Sequence, residues 1–114
     1  MRIRNLTRGS ELASAARAAR GFWSRLRGLL GRSSLQPGEA LVLEPCSSIH
    51  TAFMRFAIDV VYVDRSARVV KVVSNLKPFR LSGALRGARS AIELPAGTAA
   101  ASGTVKGDQL AFES

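Results

Sequence analysis

The residue types best suited to chemistry are concentrated in one short segment, which runs from Cys46 to Asp59. It contains the chain's single cysteine, its single histidine (His50), and an arginine, Arg55, between two phenylalanines. A guanidinium group beside apolar side chains can hold a carboxylate or a phosphate with two parallel hydrogen bonds. The segment therefore predicts a site that binds a small polar or anionic ligand.

The predicted site combines polar and apolar side chains. Arg55 orients the ligand, while the neighbouring phenylalanine and methionine supply apolar contact. Asp59 and Glu93 each interrupt an apolar strand, and a buried carboxylate needs a partner, so we expect both in one network. The predicted ligand-binding residues are His50, Phe53, Met54, Arg55, Asp59 and Glu93.

A structural role is an alternative for several of these side chains. His50 as a neutral imidazole can hydrogen-bond a loop carbonyl, and Met54 can pack in the core. Arg55 can form a structural ion pair with Asp59. The residue types alone leave these alternatives open.

Catalysis by His50 is a second hypothesis, with Asp59 or Glu93 as the carboxylate that orients it. The sequence has no nucleophile elbow, phosphate loop, dinucleotide fingerprint or zinc motif. Cys46, His50 and Met54 are four residues apart and supply copper ligands, but the second histidine of such a site is absent. We predict no metal site and no cofactor, and the residues do not decide whether the protein is an enzyme.

Positive charge is concentrated at the N-terminus. Residues 1–32 contain eight arginines against Glu11, within a total net charge of +9. A helix with Arg17, Arg20, Arg27 and Arg32 on one face would bind an anionic surface. Basic side chains interleaved with aromatic stacking platforms are missing, which favours a solvated surface over a nucleic-acid or membrane partner.

The elements that must position these residues follow from hydrophobic spacing. Arg2–Leu6 predicts a strand, and apolar residues at helical spacing from Ser10 to Leu30 predict one or two short helices, interrupted at Gly21. A hairpin is predicted from Ile58–Val63 and Val69–Val73, joined by Asp64–Arg68. Further strands are predicted at Ala40–Leu43, Ala91–Leu94 and Gln109–Phe112, with one helical turn at Thr98–Ser102 ended by Gly103.

This pattern predicts a single domain over residues 1–114. It is mainly β, with α+β character at the N-terminus, and forms a β-sandwich or a partly open barrel. The sequence shows no apolar run long enough to span a bilayer and no signal-peptide core, so we expect the protein in the cytoplasm.

Several motifs in order resemble the bacterial and archaeal family called domain of unknown function 192. They are Arg27-Gly28-Leu29-Leu30, the stretch from Ser48 to Asp64, Lys77-Pro78, the stretch from Ala91 to Gly97, and Gly107-Asp108. Leu30 stands where the family usually has methionine. The resemblance implies a compact β-sandwich of jelly-roll type, with the N-terminal segment inside the folded domain rather than acting as a transit peptide. It implies no activity.

Overall fold

A computed structural model describes residues 1–20, 35–44, 48–50, 56–78, 81–83 and 87–114. These residues form ten strands and one short helix. The strands are β1 (Arg2–Asn5), β2 (Ser10–Ala13), β3 (Ala15–Arg20), β4 (Glu39–Glu44), β5 (Ser48–His50), β6 (Ile58–Val63), β7 (Val69–Leu76), β8 (Leu81–Gly83), β9 (Ser90–Pro95) and β10 (Leu110–Glu113), and the helix is α1 (Thr98–Ser102).

The strands form a central sheet, a terminal sheet and a ribbon. The central sheet has the order β3-β4-β9-β6-β7, the terminal sheet has the order β10-β1-β2, and the ribbon pairs β5 with β8. In the central sheet only β3 and β4 are parallel, over six residue pairs. Because β3 and β7 are edges of the central sheet, the described strands do not close into a barrel.

The hairpin of β6 and β7 confirms the strongest strand signal in the sequence. The two runs of valine, isoleucine and tyrosine pair antiparallel, with Ile58 opposite Leu76 and Val63 opposite Val69. All six residues of β6 are buried, because the sheet is covered on both faces at this strand. The predicted strands at β1, β4, β9 and β10 are confirmed as well.

The predicted N-terminal helix is wrong over Ser10–Arg20, where the structure has β2 and β3. The break between these strands falls at Ser14, whose backbone N–H donates to the carbonyl oxygen of Gly38 at 3.0 Å. Alanine-rich spacing is compatible with a helix, but pairing of β2 with β1 and of β3 with β4 overrides that weak local preference. The remainder of the predicted helix, residues 21–34, lies outside the described residues.

The helical turn predicted near the C-terminus is confirmed as α1. Gly103 follows it with φ of 69°, a left-handed conformation that glycine adopts without steric cost. The mainly β prediction is thus confirmed, and the helix in the described part of the chain lies at the C-terminal end. The jelly-roll connectivity stays a prediction.

The central sheet carries an apolar cluster on each face. Its inner face packs against the terminal sheet, in a cluster that includes Ile3, Leu12, Val42, Val61, Ile92, Leu94 and Leu110. Its other face carries a second cluster that includes Leu35, Leu41, Leu43, Val60, Tyr62 and Ala91. Burial of these side chains from water is the main force that holds the two sheets together.

None of the helices in the described residues is long and apolar enough to cross a membrane.

Candidate functional site

The structure describes only part of the segment that the sequence singles out. His50 is the last residue of β5, where its backbone pairs with Leu81 of β8. Phe53, Met54 and Arg55 lie outside the described residues, as does Cys46 of the alternative copper set. Ligand binding by these residues stays a prediction.

Asp59 is described and its side chain is completely buried. Its Oδ1 accepts a hydrogen bond from the backbone N–H of Asn75 at 2.8 Å. Its Oδ2 accepts two more, from the backbone N–H groups of Gly97 at 3.0 Å and Ala99 at 2.8 Å. The carboxylate therefore joins β6 to the end of β7 and to the start of α1, which satisfies its need for partners inside the protein.

Asp59 and Glu93 do not form the common network that the sequence predicts. Asp59 lies opposite Leu94 in the pairing of β6 with β9, whereas Glu93 lies opposite Val60. Directly paired residues share a face of the sheet, and neighbours along a strand point to opposite faces. Asp59 therefore faces the terminal sheet with Leu94, and Glu93 lies on the other side of the central sheet.

Glu93 stands between apolar residues in one row at the centre of that other side. Register places Leu41 of β4 on one flank, with Arg17 of β3 beyond it, and Val60 of β6 on the other flank, with Val73 of β7 beyond it. We call this side the Glu93 face. Its next row consists of Leu43, Ala91, Tyr62 and Lys71. The carboxyl group of Glu93 is thus flanked by a hydrocarbon side chain on each neighbouring strand.

The Glu93 side chain is buried without a polar partner in the described part of the chain. The residue is 5% exposed, and no hydrogen bond or ion pair joins its carboxyl group to another described residue. Burial raises the pKa of Glu93 from 4.5 to about 7, because hydrocarbon disfavours the charged form. A carboxyl group with such a pKa exchanges protons readily near neutral pH, and both of its forms can hydrogen-bond a ligand.

A second buried polar group, which sequence reasoning missed, joins the two ends of the chain. Asp108 accepts hydrogen bonds from Arg8 Nε at 3.1 Å, from Asn5 Nδ2 at 3.0 Å and from the backbone N–H of Val105 at 3.1 Å. Arg8 above all, and then Asn5, lower the pKa of Asp108 from 3.8 to about 2. The Gly107-Asp108 pair gives a signal for a turn, but only the fold brings Asn5 and Arg8 to it.

The described residues do not reproduce the basic helix face that the sequence predicts. Arg17 and Arg20 belong to β3, where helical spacing does not apply, and Arg27 and Arg32 lie outside the described residues. Two other arginines of this region have acidic partners, since Arg2 pairs with Glu11 and Arg8 with Asp108. Binding of a polyanion stays a prediction.

Metal ligation has no support in the described ranges. Among these residues, no group of three or more histidine, cysteine, aspartate or glutamate side chains could hold a metal ion.

The fold is similar to two crystal structures of bacterial proteins. A protein of unknown function from Novosphingobium aromaticivorans matches with a TM-score of 0.82 and 19% identity, over 97% of this chain and 82% of that one. A candidate transcription regulator from Sinorhizobium meliloti matches with a TM-score of 0.83 and 17% identity, over 96% of this chain and 89% of that one. At these identities the likeness concerns the fold alone.

Sequence comparison identifies closer relatives. A UPF0127 protein of Pyrococcus furiosus is 35% identical over an alignment of 112 positions, and the match covers 93% of this chain and 93% of that protein. A UPF0127 protein of Thermococcus sibiricus is 29% identical over 113 residues, covering 96% of this chain and 73% of that protein. The family model for domain of unknown function 192 (Uncharacterized ACR) matches residues 4–112, as the motifs predicted. The chain therefore belongs to the domain of unknown function 192 family.

Proposed function

We propose that the protein is a binding module for a small polar ligand, and that the ligand contacts the Glu93 face of the central sheet. The observation that carries this proposal is a buried carboxyl group with no polar partner among the described residues. Native proteins pair nearly all buried polar groups, because an unpaired one costs free energy. A bound ligand with a hydrogen-bonding group would supply such a partner to Glu93.

The surroundings of Glu93 support a ligand site rather than a structural network. Small-molecule sites are mostly apolar and contain few polar groups, which fix the orientation of the ligand. Leu41 and Val60 flank Glu93 in its row. Phe56, a described residue of the predicted segment, packs against the same apolar cluster. Asp59, in contrast, already has three backbone partners, so the proposed contact uses Glu93.

A thermal-shift screen with a panel of metabolites tests the proposal on the full chain. It compares wild type, Glu93→Gln and the control Glu113→Gln, which makes the same chemical change on the terminal sheet. A ligand that binds the folded state raises the melting temperature, and the rise increases with the ratio of ligand concentration to dissociation constant. A compound that stabilises wild type and the control but not Glu93→Gln supports the site. Hits that stabilise all three equally, or a panel without hits, overturn it.

The same screen tests the predicted contribution of Arg55. If Arg55 orients an anionic group of the ligand, Arg55→Ala reduces the shift that an anionic hit produces in wild type. An unchanged shift removes Arg55 from the ligand site without affecting the proposal for Glu93.

A further inference from the structure

The carboxylate of Glu93 limits the charge that a ligand of the Glu93 face can carry. We propose that the ligand carries a cationic amine, whose N–H groups donate hydrogen bonds to the carboxylate of Glu93. This inference rests on the proposed function and names the class of ligand for the same site. Its basis is the row Leu41–Glu93–Val60–Val73, in which a carboxyl group stands between hydrocarbon side chains on both flanks.

Electrostatics favours a cation over the other ligand types. An ionised carboxylate in hydrocarbon is costly, and the cost falls when an opposite charge pairs with it at hydrogen-bond distance. An anionic ligand would place a second negative charge beside Glu93, or would require that Glu93 stay protonated. A ligand that only accepts hydrogen bonds could not pair with the ionised form at all.

The other ionisable side chains on this face do not supply that cation. In the described strands they are Arg17 of β3, Glu39 of β4, Tyr62 of β6 and Lys71 of β7. Arg17 lies opposite Leu41 at the edge of the row, where it is exposed and forms no ion pair with Glu93. Lys71 is exposed and its Nζ donates to the carbonyl oxygen of Gly83 at 2.5 Å, away from the row of Glu93. Glu39 is acidic and accepts a hydrogen bond from the backbone N–H of Gln36 at 2.8 Å. None of these described side chains therefore pairs a positive charge with Glu93.

The flanking residues also indicate the rest of the ligand. Leu41 and Val60, directly opposite Glu93, are buried hydrocarbon side chains, so the part of the ligand next to the amine gains most when it is apolar. The ligand class is thus a small amphipathic amine, with one cationic end and one apolar body.

Three probes with a phenyl ring as their apolar body distinguish a cationic, a neutral and an anionic ligand: benzylamine, benzyl alcohol and benzoate. Binding is followed by the methyl resonances of Leu41 and Val60 at about pH 8, where Glu93 is mostly ionised. We expect saturable shifts with benzylamine, weaker ones with benzyl alcohol and none with benzoate. Glu93→Gln is expected to weaken benzylamine binding about tenfold, which corresponds to about 1.4 kcal/mol, and Glu113→Gln to leave it unchanged.

The outcomes distinguish this inference from the proposed function. Tighter binding of benzoate than of benzylamine, or benzylamine binding that Glu93→Gln does not weaken, overturns the amine class. If no probe shifts these methyl groups while the metabolite screen gives Glu93-dependent hits, the amine class falls and the site stands. If both experiments are negative, the amine class and the proposed function fall together.

Discussion

Glu93 stands in surroundings that oppose its ionisation. The folded protein raises its pKa from 4.5 to about 7, so between these pH values the folded state binds more protons than the unfolded state. The contribution of protonated Glu93 to the free energy of unfolding is therefore fully present below pH 4.5, and it is lost as the pH rises through 7. A shift of this size corresponds to about 3 kcal/mol.

Glu93→Gln is expected to remove this pH dependence. Because glutamine stays neutral, the variant should be more stable than wild type by about 2–3 kcal/mol at about pH 8, and no more stable at about pH 4. Urea unfolding at both pH values measures the difference, with Glu113→Gln as the control. Equal profiles for wild type and Glu93→Gln would show that Glu93 is not desolvated. A gain in stability upon replacement is typical of residues kept for function.

Asp108 shows the opposite behaviour, since its hydrogen bonds with Arg8 and Asn5 favour the charged form. Its pKa is lowered from 3.8 to about 2, so the stability that it contributes is present above pH 3.8 and is lost as the pH falls through 2. The buried side chain of Asn5 has its own partners here, because its Nδ2 also donates to Thr104 Oγ1 at 3.0 Å.

Asp108→Asn is expected to destabilise the protein at neutral pH by about 1–3 kcal/mol, because a charge-assisted hydrogen bond with Arg8 is lost. The variant should also lose the part of the acid denaturation that falls between pH 3.8 and 2. Circular dichroism during acid titration measures both. An acid limb identical to that of wild type would contradict the role given to this group.

Among the elements, β6, β7 and α1 meet at one buried side chain. Asp59 receives N–H groups from three separate positions, and α1 is too short to be stable without such contacts. Gly97 precedes α1 with φ of 97°, which directs its N–H toward the carboxylate at little conformational cost. The conformation of this turn thus depends on a residue of β6.

Asp59→Ala is expected to lower the free energy of unfolding by about 3 kcal/mol or more, because it leaves three backbone donors without their acceptor. Amide exchange at Asn75, Gly97 and Ala99 should become faster. The matched control is Asp64→Ala, since Asp64 Oδ1 also accepts backbone N–H groups, from Ser66 and Arg68, but in an exposed turn. Equal losses in the two variants would refute a special structural role for Asp59.

For the whole molecule, the pairing of the first and last strands completes the core. β10 pairs with β1 over four residues, and Leu110 of β10 belongs to the same apolar cluster as Ile3 of β1. The terminal sheet therefore covers the inner face of the central sheet with residues more than a hundred positions apart in the sequence.

Leu110→Ala is expected to cost about 3 kcal/mol, because Leu110 is 2% exposed and its removal leaves a cavity. Phe112→Ala on the same strand is the control. Phe112 is 37% exposed, so its loss should cost less although phenylalanine is the larger side chain. Thermal unfolding ranks the two variants, and the reverse order would contradict the packing of β10 against the core.

The sequence by itself determined those elements whose local signal and tertiary environment agree. The runs of β6 and β7 are rich in β-branched residues and have a polar turn between them, so propensity and pairing favour the same hairpin. Thr98–Ser102 with Gly103 is likewise a local helix signal with a local stop. The ordered motifs also determined the family, which the match over residues 4–112 confirms.

Only the tertiary structure decided between helix and strand for Ser10–Arg20, because the alanine-rich spacing favours a helix only weakly and the pairing partners lie elsewhere in the chain. It also separated Asp59 from Glu93. The sequence shows two carboxylates in apolar strands, but which face each one occupies depends on register between strands, and a shift of one residue exchanges the faces. Register gave Asp59 three backbone partners and left Glu93 in hydrocarbon, where the described chain offers it none.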